Sequence, residues 1–431
     1  MTWSDLTPPR LRVRTVAISD PGPLLALLPV KDAYAWVRHG EGLVAFGEVA
    51  RHKPASVAEA DEWFADLVAG TEVVADLDHG PAGAGLVAFG SFLFDPDRSA
   101  GQSTLVVPQT IIGRRHGRSW LTRIGPDSGG SGGVPPGIDT DPAAGPVPTP
   151  ARPPEPPRGL RFLPGGLDEV TWPAAVAEAV RSIVDGRLDK VVLARDVVAQ
   201  AENDIDLRWL AGRLAANYPQ CWTYLVDGLV GASPEMLIKR EAGLAVSRVL
   251  AGTIRRTGDD DHDLNLAAAL AKSSKDLQEH EYAVASVART LSPSCSGMNV
   301  PEAPYVLELP NVLHLATDVT GVVEGDVSSL SLAAALHPSA AVCGTPTEPA
   351  RALIGELEHL DRERYAGPVG WIDASGDGEW AIALRCGLIS ETDPRQIRLF
   401  AGCGIVAGSD PAAELAESHA KLVPMRDALV G

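Results

Sequence analysis

The sequence predicts an α/β protein in which large antiparallel or mixed sheets are covered on the outside by helices. The chain has 431 residues, of which 45% are hydrophobic, so it can bury a large core. Segments typical of strands and of helices occur together, and the strand segments often follow one another directly instead of alternating with helices. The spacing of Gly402, Gly404 and Gly408 does not fit the dinucleotide-binding pattern GxGxxG, so a Rossmann fold is not indicated.

Strand segments are rich in β-branched and aromatic residues and are bounded by turn residues. The sequence GLVAFG occurs twice, at 42–47 and 85–90, and its strand-like composition predicts two neighbouring strands of one sheet. Further strands are predicted at 188–199, 221–233, 244–252, 314–323, 365–374, 379–389 and 397–408.

Helices are predicted from the helical spacing of apolar residues and from residues typical of helix ends. The segment 171–186 has Thr171 as a candidate N-cap, Pro173 in the first turn and Gly186 at its end. The segment 410–423 begins with Asp410 as a natural N-cap and Pro411 at the first helical position. Further helices are predicted at 259–273, 275–291, 331–337 and 348–360.

One segment interrupts these elements. Residues 125–159 are rich in glycine and proline and contain almost no large apolar side chain, so they cannot form a packed core. They predict a flexible loop between an N-terminal part of the fold, 1–124, and a larger region, 160–431. Both parts are expected to belong to one structural domain.

Charge and composition exclude several classes of function. A formal net charge of -19 disfavours binding to nucleic acid or to anionic membranes, because both need a basic surface. No leader-like pattern opens the sequence, and no run approaches the roughly 20 apolar residues of a membrane helix, so we expect a cytoplasmic protein. The five cysteines form no CxxC pair, which predicts reduced, buried thiols and neither a disulfide framework nor a zinc site.

Two predicted helices each carry a pair of carboxylates three residues apart. The pairs are Asp276 with Glu279 and Glu414 with Glu417. Residues at this spacing share a helix face, and Mg²⁺ prefers oxygen ligands, so the two pairs can converge on one cation. Charged pairs at this spacing are also ordinary on solvated helix faces, so the residues alone leave both interpretations open.

A glycine-rich segment precedes the second acidic pair. Gly402 and Gly404 end a predicted strand that leads directly into the helix carrying Glu414 and Glu417. Bare backbone N–H groups at such a place can hold an anion close to the carboxylates. This context favours a ligand that bears a carboxylate and bridges the glycines and a cation. Lys421 lies one turn beyond Glu417 on the same face.

Two residues are candidates for proton transfer. Lys190 stands directly before the apolar run VVLA, where burial would lower its pKa and make it a general base. A lysine that reaches solvent from the start of a strand is the alternative. Glu235 follows a Ser-Pro turn after a probable buried strand, where a raised pKa would make it a general acid. The alternative is a turn residue or a carboxylate at a helix start.

Other polar residues are enclosed by apolar sequence. Arg385 has apolar neighbours on both sides and is expected to meet a carboxylate of the protein or of a ligand. His314 is similarly enclosed, and a satisfied core histidine is the default interpretation. Gly252 and Thr253 offer a glycine and a hydroxyl at the end of a strand, which is weak evidence by itself.

An ordered set of segments resembles the chorismate-utilising enzymes, which include anthranilate, aminodeoxychorismate, salicylate and isochorismate synthases. The segments are DKVVLAR, GASPEML, LAGTIRR, KDLQEHE, HLATDVTG, HPSAAVCGTP, YAGPVGW, IALRCGLI and AGCGIVAGSDPAAELAESHAK, with FGSFLFD before the loop. The resemblance covers the chain from Thr171 to Leu429. It implies two pseudo-symmetric halves, sheets stacked as a β-sandwich, helices outside and an active site in the cleft between, with 160–431 as the chorismate-binding catalytic region.

The resemblance also implies roles for individual residues. Glu279 and Glu417 match Mg²⁺ ligands, with Asp276 and Glu414 as supporting carboxylates around the bound waters. Lys190 matches the base that activates water, and Glu235 matches the acid that protonates the departing hydroxyl. The residues implied to bind the ring and its two carboxylates are Gly252, Thr253, His314, Tyr365, Arg385, Gly402, Gly404 and Lys421.

Within the family, HPSAAVCGTPTEPA at 337–350 is similar to the segment of isochorismate synthases. This implies an isomerase that uses Mg²⁺ and water, without a glutaminase subunit or redox cofactor, to turn chorismate into isochorismate for menaquinone or siderophore synthesis. The sequence shows no obvious partner surface, so we expect a monomer. A salicylate synthase, which adds pyruvate elimination, and a non-catalytic chorismate binder stay open. The sequence departs from the family pattern at Ser339-Ala340, where siderophore-type enzymes usually have Thr-Pro, and at Cys403, where Ala is common. The first departure leaves the choice between the menaquinone and siderophore pathways open.

Overall fold

The computed structural model describes residues 8–75, 77, 80–127 and 152–430, and the side chains of residues 75, 275, 276, 278 and 279 fall outside this description. Most of the predicted loop 125–159 therefore lies outside the described residues. The division of the chain into 1–124, 125–159 and 160–431 remains a prediction.

The described residues form helices and strands in an irregular order along the chain. The helices are α1 (Val57–Ala69), α2 (Trp172–Val184), α3 (Leu207–Asn217), α4 (Asp260–Leu270), α5 (Ser274–Leu291), α6 (Ser329–Leu336), α7 (Thr347–Leu357) and α8 (Pro411–Val430). The strands are β1 (Leu11–Ile18), β2 (Ala33–Arg38), β3 (Glu41–Phe46), β4 (Ala50–His52), β5 (Glu72–Ala75), β6 (Val87–Ser91), β7 (Thr104–Val107), β8 (Thr110–Arg115), β9 (Arg118–Pro126), β10 (Arg161–Pro164), β11 (Lys190–Gln200), β12 (Trp222–Val226), β13 (Leu229–Ser233), β14 (Met236–Glu241), β15 (Leu244–Arg255), β16 (Cys295–Asn299), β17 (Tyr305–Glu308), β18 (Val312–Val323), β19 (Gly344–Thr345), β20 (Pro368–Asp373), β21 (Gly378–Ile382), β22 (Cys386–Ile389) and β23 (Gln396–Ile405).

The strands form two sheets. In the larger sheet the order is β10-β11-β23-β22-β13-β12-β2-β3-β8-β9-β1-β5, with β19 also paired to β11. In the smaller sheet the order is β16-β18-β15-β14-β21-β20-β6-β7-β4, with β17 also paired to β18. Among the described strands only β1 and β5 pair in parallel. The predicted large antiparallel or mixed sheets are therefore confirmed.

The two sheets stack face to face. Trp36 of β2 donates a hydrogen bond from its indole to Glu379 of β21 at 2.7 Å, and the ring of Tyr34 lies 5.9 Å from that of Phe89 in β6. Trp36 and Phe89 belong to one core cluster with Trp380 of β21, and all three are buried. Each large apolar side chain buried in this way stabilises the fold by about 1.5–3 kcal/mol. The β-sandwich implied by the family resemblance is present.

Helices cover the outer faces of the sandwich. On the larger sheet, Leu214 of α3 and Met425 of α8 share a second core cluster with Leu225 of β12. On the smaller sheet, α5 packs on β15 and β18. His280 of α5 shares a hydrogen bond of 2.7 Å with the hydroxyl of Thr317 in β18. The predicted outer position of the helices is therefore confirmed.

Several element predictions need correction. The two GLVAFG segments form β3 and β6, which belong to different sheets, so the prediction that they are neighbours is wrong. Thr171 precedes α2 as expected, but its hydroxyl bonds to Asp168 at 2.8 Å instead of capping the helix. The predicted N-cap is present at Asp410, whose Oδ1 accepts the N–H groups of Ala412 and Ala413.

The remaining composition-based expectations concern cysteines and membranes. All five cysteines are buried, as predicted. Within residues that the structure describes, no helix is both long enough and apolar enough to cross a membrane.

Candidate active site

A cavity of about 250 Å³ opens between the two sheets, beside the start of α8. The larger sheet contributes residues of β11 and β23, and the smaller sheet contributes residues of β15 and β18. Every predicted site residue whose side chain is described lines this one cavity. These residues are Lys190, Glu235, Gly252, Thr253, His314, Tyr365, Arg385, Gly402, Gly404, Glu414, Glu417 and Lys421. The remaining two, Asp276 and Glu279, lie on α5, and their side chains fall outside the description.

Two of these residues lie where the chain crosses between the sheets. Glu235 connects β13 of the larger sheet to β14 of the smaller sheet, and Arg385 connects β21 of the smaller sheet to β22 of the larger one. The N–H of Ile382 donates to the carbonyl of Glu235 at 3.1 Å, which ties the two crossings together. Arg385 was expected to lie inside a continuous strand, but it lies in the connection between two strands. Its backbone has a left-handed conformation, with φ of 49°.

Glu235 is held in a buried position. Its backbone N–H donates to the hydroxyl of Ser233 at 3.3 Å, and its side chain is near Lys190 and Arg385. Burial raises its pKa to about 7, against the opposing effect of the nearby cations and of the Leu250 N–H. A carboxyl group with this pKa carries a proton in a large fraction of molecules near neutral pH, as a general acid requires.

Two glycines of β23 provide space for the side chains around them. In the antiparallel pair with β11, Gly404 lies opposite Val192. A Cβ atom at Gly404 would lie 3.1 Å from Cε of Lys190, and a Cβ atom at Gly402 would lie 2.9 Å from the hydroxyl of Tyr365. Both contacts are closer than ordinary van der Waals packing. The glycines therefore allow Lys190 and Tyr365 to reach the cavity.

A bulge in β15 turns polar groups towards the cavity. The register with β18 shifts between Ala251 and Thr253, and Gly252 between them has φ of 72°, a conformation that favours glycine. The Thr253 hydroxyl shares a hydrogen bond of 3.0 Å with Nδ1 of His314. Nε2 of His314 is buried without a partner among the described residues. Burial, with Arg385, lowers the His314 pKa to about 3, so the imidazole is neutral and has one nitrogen left for a ligand.

The start of α8 brings two carboxylates and a cation together. Lys421 donates to Glu417 at 2.6 Å and to the carbonyl of Gly402 at 2.8 Å. Burial alone would raise the pKa of Glu417, but Lys421 and Arg385 hold it below its ordinary value. One carboxylate oxygen of Glu414, one of Glu417 and the sulfur of Cys403 lie within 4.8 Å of one another.

This donor set can be tested against Mg²⁺. Mg²⁺ takes one or two protein carboxylates together with water and substrate oxygens, and it does not prefer sulfur. Glu414 and Glu417 fit this requirement. Cys403 donates its hydrogen to the backbone carbonyl of Glu414 at 3.3 Å, and burial raises the pKa of its thiol, so it fits as a neighbour of the site and not as a ligand.

The sequence prediction missed other residues of the cavity, above all Arg362. This buried arginine pairs with the carboxylate of Glu358 and donates to the carbonyls of Val192 at 2.7 Å and Val342 at 2.9 Å. It therefore fixes β11 and the 337–350 segment in relation to each other. The charged run DRER directly before Tyr365 was a signal in the sequence, because such runs are unusual beside a buried segment.

A larger cavity of about 570 Å³ lies away from this site. Its charged side chains already pair with one another, for example Arg51 with Asp227 at 2.9 Å and Arg208 with Asp206 at 2.6 Å. The smaller cavity is the better candidate active site because it combines a protonatable acid, a lysine, three further cations and an acidic pair.

Comparison with known proteins identifies the family and agrees with the fold. Residues 150–430 match the family described as chorismate binding enzyme, which is more than half of the chain, and the protein belongs to this family. Isochorismate synthase DhbC of Bacillus subtilis is 40% identical over 266 residues, which are 59% of this chain and 66% of that protein. Isochorismate synthase MenF of the same organism is 36% identical over 269 residues, which are 62% of this chain and 56% of that protein. The match thus spans less than two thirds of either relative.

A solved structure extends the likeness to nearly the whole chain. The putative 2,3-dihydroxybenzoate-specific isochorismate synthase DhbC from Bacillus anthracis has a TM-score of 0.76 and 31% sequence identity, and the match covers 94% of this chain and 98% of that one. The N-terminal strands therefore belong to the same architecture as the family region.

Proposed function

We propose that this protein converts chorismate to isochorismate, with water adding at ring position 2 and the hydroxyl group leaving position 4. The observation that supports this most directly is the placement of Lys190 and the buried Glu235 on one cavity between the sheets. The relatives named isochorismate synthase support the same reaction. Atoms and electrons balance, because one water is consumed, one is released and the ring double bonds move. No redox cofactor is required.

Lys190 acts as the general base. Its side chain reaches past Gly404 into the cavity from the first residue of β11. In the neutral form its amine takes a proton from the water that attacks position 2. Gly404 thus serves the reaction indirectly, by leaving the lysine stem enough space.

Glu235 acts as the general acid. It donates its proton to the position-4 hydroxyl, which then leaves as water. Because its pKa is raised, the carboxyl group still carries this proton in a large fraction of molecules near neutral pH. The base comes from strand β11 and the acid from the connection between β13 and β14, so they can act at two different positions of one ring.

The two carboxylates of chorismate need cationic and N–H partners. Arg385 and Lys421 line the cavity, and Arg385 suits a planar carboxylate because its guanidinium group can donate two parallel hydrogen bonds. Thr253, His314 and Tyr365 present polar groups around the ring. Glu414 and Glu417 would hold Mg²⁺, together with Asp276 and Glu279 of α5. When bound, Mg²⁺ would hold the ring carboxylate and neutralise its charge.

The nucleophile is water, as the 337–350 segment indicates, and the proposal includes no glutaminase partner. We infer that the product serves menaquinone or siderophore synthesis, as the family resemblance implies; the name of the Bacillus anthracis structure specifies 2,3-dihydroxybenzoate.

The test is incubation of the purified protein with chorismate and Mg²⁺, without ammonia or glutamine, followed by chromatographic separation of the products. We expect isochorismate to accumulate to an equilibrium mixture and EDTA to stop the reaction. Lys190→Ala should abolish turnover and Glu235→Gln should reduce it by about 100-fold or more, while calorimetry still detects chorismate binding. Salicylate with pyruvate as the main products would instead indicate a salicylate synthase, and binding without product would indicate a non-catalytic protein.

A further inference from the structure

A second cavity, of about 160 Å³, lies on the other side of Glu235 from the active-site cavity. Glu235 and Ala341 line both cavities. Among the described residues, Glu235 is the one ionisable group that the two linings share. Glu235 therefore belongs to the wall between them.

Hydroxyl groups line this second cavity, which we call the rear cavity. They belong to Ser247, Ser286, Thr290, Ser339 and Thr347. Ser247 donates to the carbonyl of Leu237 at 2.7 Å and Thr290 donates to the carbonyl of Ser286 at 3.0 Å, so each hydroxyl oxygen keeps lone pairs for a further donor.

One of these hydroxyl groups in particular indicates that the rear cavity holds water. The Ser339 hydroxyl oxygen is buried and has no hydrogen-bond partner among the described residues. Buried polar groups are normally paired, and a polar cavity of this size has room for water molecules. The lining also includes Ala335, which is exposed, so the rear cavity reaches the protein surface.

The proposed reaction releases water on the Glu235 side of the ring. Water enters the reaction at ring position 2, beside Lys190, but the water formed from the departing hydroxyl appears at position 4, beside Glu235. The ring separates these two positions. After donating its proton, Glu235 is ionised and must regain a proton from solvent before the next turnover, while Lys190 must release to solvent the proton that it took from water.

We propose that the rear cavity receives the water released beside Glu235 and returns a proton from solvent to that carboxylate. This inference rests on the proposed function, since it concerns the water and the proton of that reaction. The C–O bond at position 4 breaks, the Glu235 proton joins the departing oxygen, and the resulting water moves past the carboxylate among the hydroxyls. A proton from solvent then reaches Glu235 by the same hydroxyl-lined route.

The first test uses chorismate carrying heavy oxygen in its position-4 hydroxyl. Whenever the bound product reverts to chorismate after the labelled water has left, unlabelled water takes its place at position 4. Mass spectrometry then gives a ratio, namely the fraction of the remaining chorismate that has lost its label divided by the fraction of chorismate converted to isochorismate. Ser286→Leu fills the rear cavity, so we expect this ratio to fall severalfold. Ala285→Leu adds the same side chain on the exposed side of the same helix and should leave the ratio at the wild-type value.

The outcomes separate the two proposals. If the wild-type protein forms no isochorismate, the proposed function fails. If it does, and Ser286→Leu gives the same ratio as Ala285→Leu, the rear-cavity inference alone is overturned.

The second test removes a hydroxyl without filling the cavity. Ser339→Ala should lower kcat severalfold with little change in kcat/KM, because proton return follows the chemical step, and small acidic buffers should restore kcat. Equal losses in kcat and kcat/KM, without any rescue by buffer, would overturn a role for Ser339 in proton return.

Discussion

Lys421 and Glu417, one helical turn apart on α8, form an ion pair of 2.6 Å at the edge of the active-site cavity. Lys421 also donates to the carbonyl of Gly402, so its position is fixed by both α8 and β23. The pair keeps Glu417 ionised although the residue is largely enclosed. The carboxylate is thereby held in the form that a metal ion requires.

Replacing Lys421 by Met should lower the free energy of unfolding by about 1–3 kcal/mol at neutral pH, a value reduced from that of a fully buried pair because Glu417 is partly exposed. The lowered pKa of Glu417 stabilises the fold above the ordinary glutamate pKa, and this contribution is lost as the pH falls through the lower value in the folded protein. Urea denaturation at neutral and acidic pH should therefore show a difference from wild type that narrows in acid. Lys421→Arg is the control that keeps the charge, and a loss independent of pH would contradict the prediction.

The rate should depend on the protonation of Glu235. Because a general acid acts in its protonated form, kcat/KM should fall as the pH rises through about 7, the pKa of this carboxyl. Glu235→Gln should reduce kcat by about 100-fold to 10,000-fold and remove this alkaline decrease from the remaining activity. Steady-state rates measured across the pH range test this. An alkaline decrease that persists in the variant would assign it to another group.

Glu235 should also lower the free energy of unfolding at alkaline pH. A glutamate whose pKa is raised in the folded state binds an extra proton there, so stability falls as the pH rises from the ordinary pKa towards about 7. The full effect is roughly 3 kcal/mol at most. Glu235→Gln should therefore unfold at higher urea concentration than wild type above neutral pH, with a smaller difference in acid. Equal stability of the two proteins at alkaline pH would show that the buried charge is compensated.

Gly404 should be required for the position of Lys190. In Gly404→Ala the new Cβ atom would lie 3.1 Å from Cε of Lys190, so the lysine must shift away from the reacting water. We expect kcat to fall by about 10-fold to 100-fold, since small displacements of catalytic groups are costly. Gly408→Ala is a matched control, because no atom lies within 4 Å of its added Cβ atom. Equal rates for the two variants would contradict the prediction.

The buried pair of Glu358 and Arg362 should stabilise the fold strongly. Glu358→Ala leaves the Arg362 charge uncompensated and removes the acceptor of the Ala194 N–H, so we expect a loss of about 3–5 kcal/mol in unfolding free energy. Glu178→Ala, which breaks an exposed pair with Arg181, should cost only about 0–1 kcal/mol. Similar losses measured by urea denaturation would contradict this ranking.

The helices and strands were easier to predict from the sequence than the pairing of one strand with another. The helix around Glu414 and Glu417 was predictable because Asp410 and Pro411 mark its start, and those signals act within one turn. The strand partners of the two GLVAFG segments could not be predicted. Their identical composition suits either sheet, and tertiary packing decides which strand each one pairs with.

The site itself was predictable in part. Spacing alone brought Glu414, Glu417 and Lys421 to one helix face, but it could not distinguish a metal site from a solvated surface. The crossings that place Glu235 and Arg385 between the sheets are invisible locally, because the strand pattern simply continues through Arg385. The Glu358–Arg362 pair was also missed, since ordinary helical spacing does not reveal burial.

The order of the elements along the chain has a consequence for biosynthesis. Strand β23 inserts between β11 and β22, and α8 follows it, so the described segments translated last carry the two glycines, the acidic pair and Lys421. While it is still being translated, the chain can assemble much of both sheets without these groups. Contacts so distant in sequence also form slowly. A nascent chain should therefore show no activity until β23 and α8 have packed in place, and the gain of activity would report when these two elements have done so.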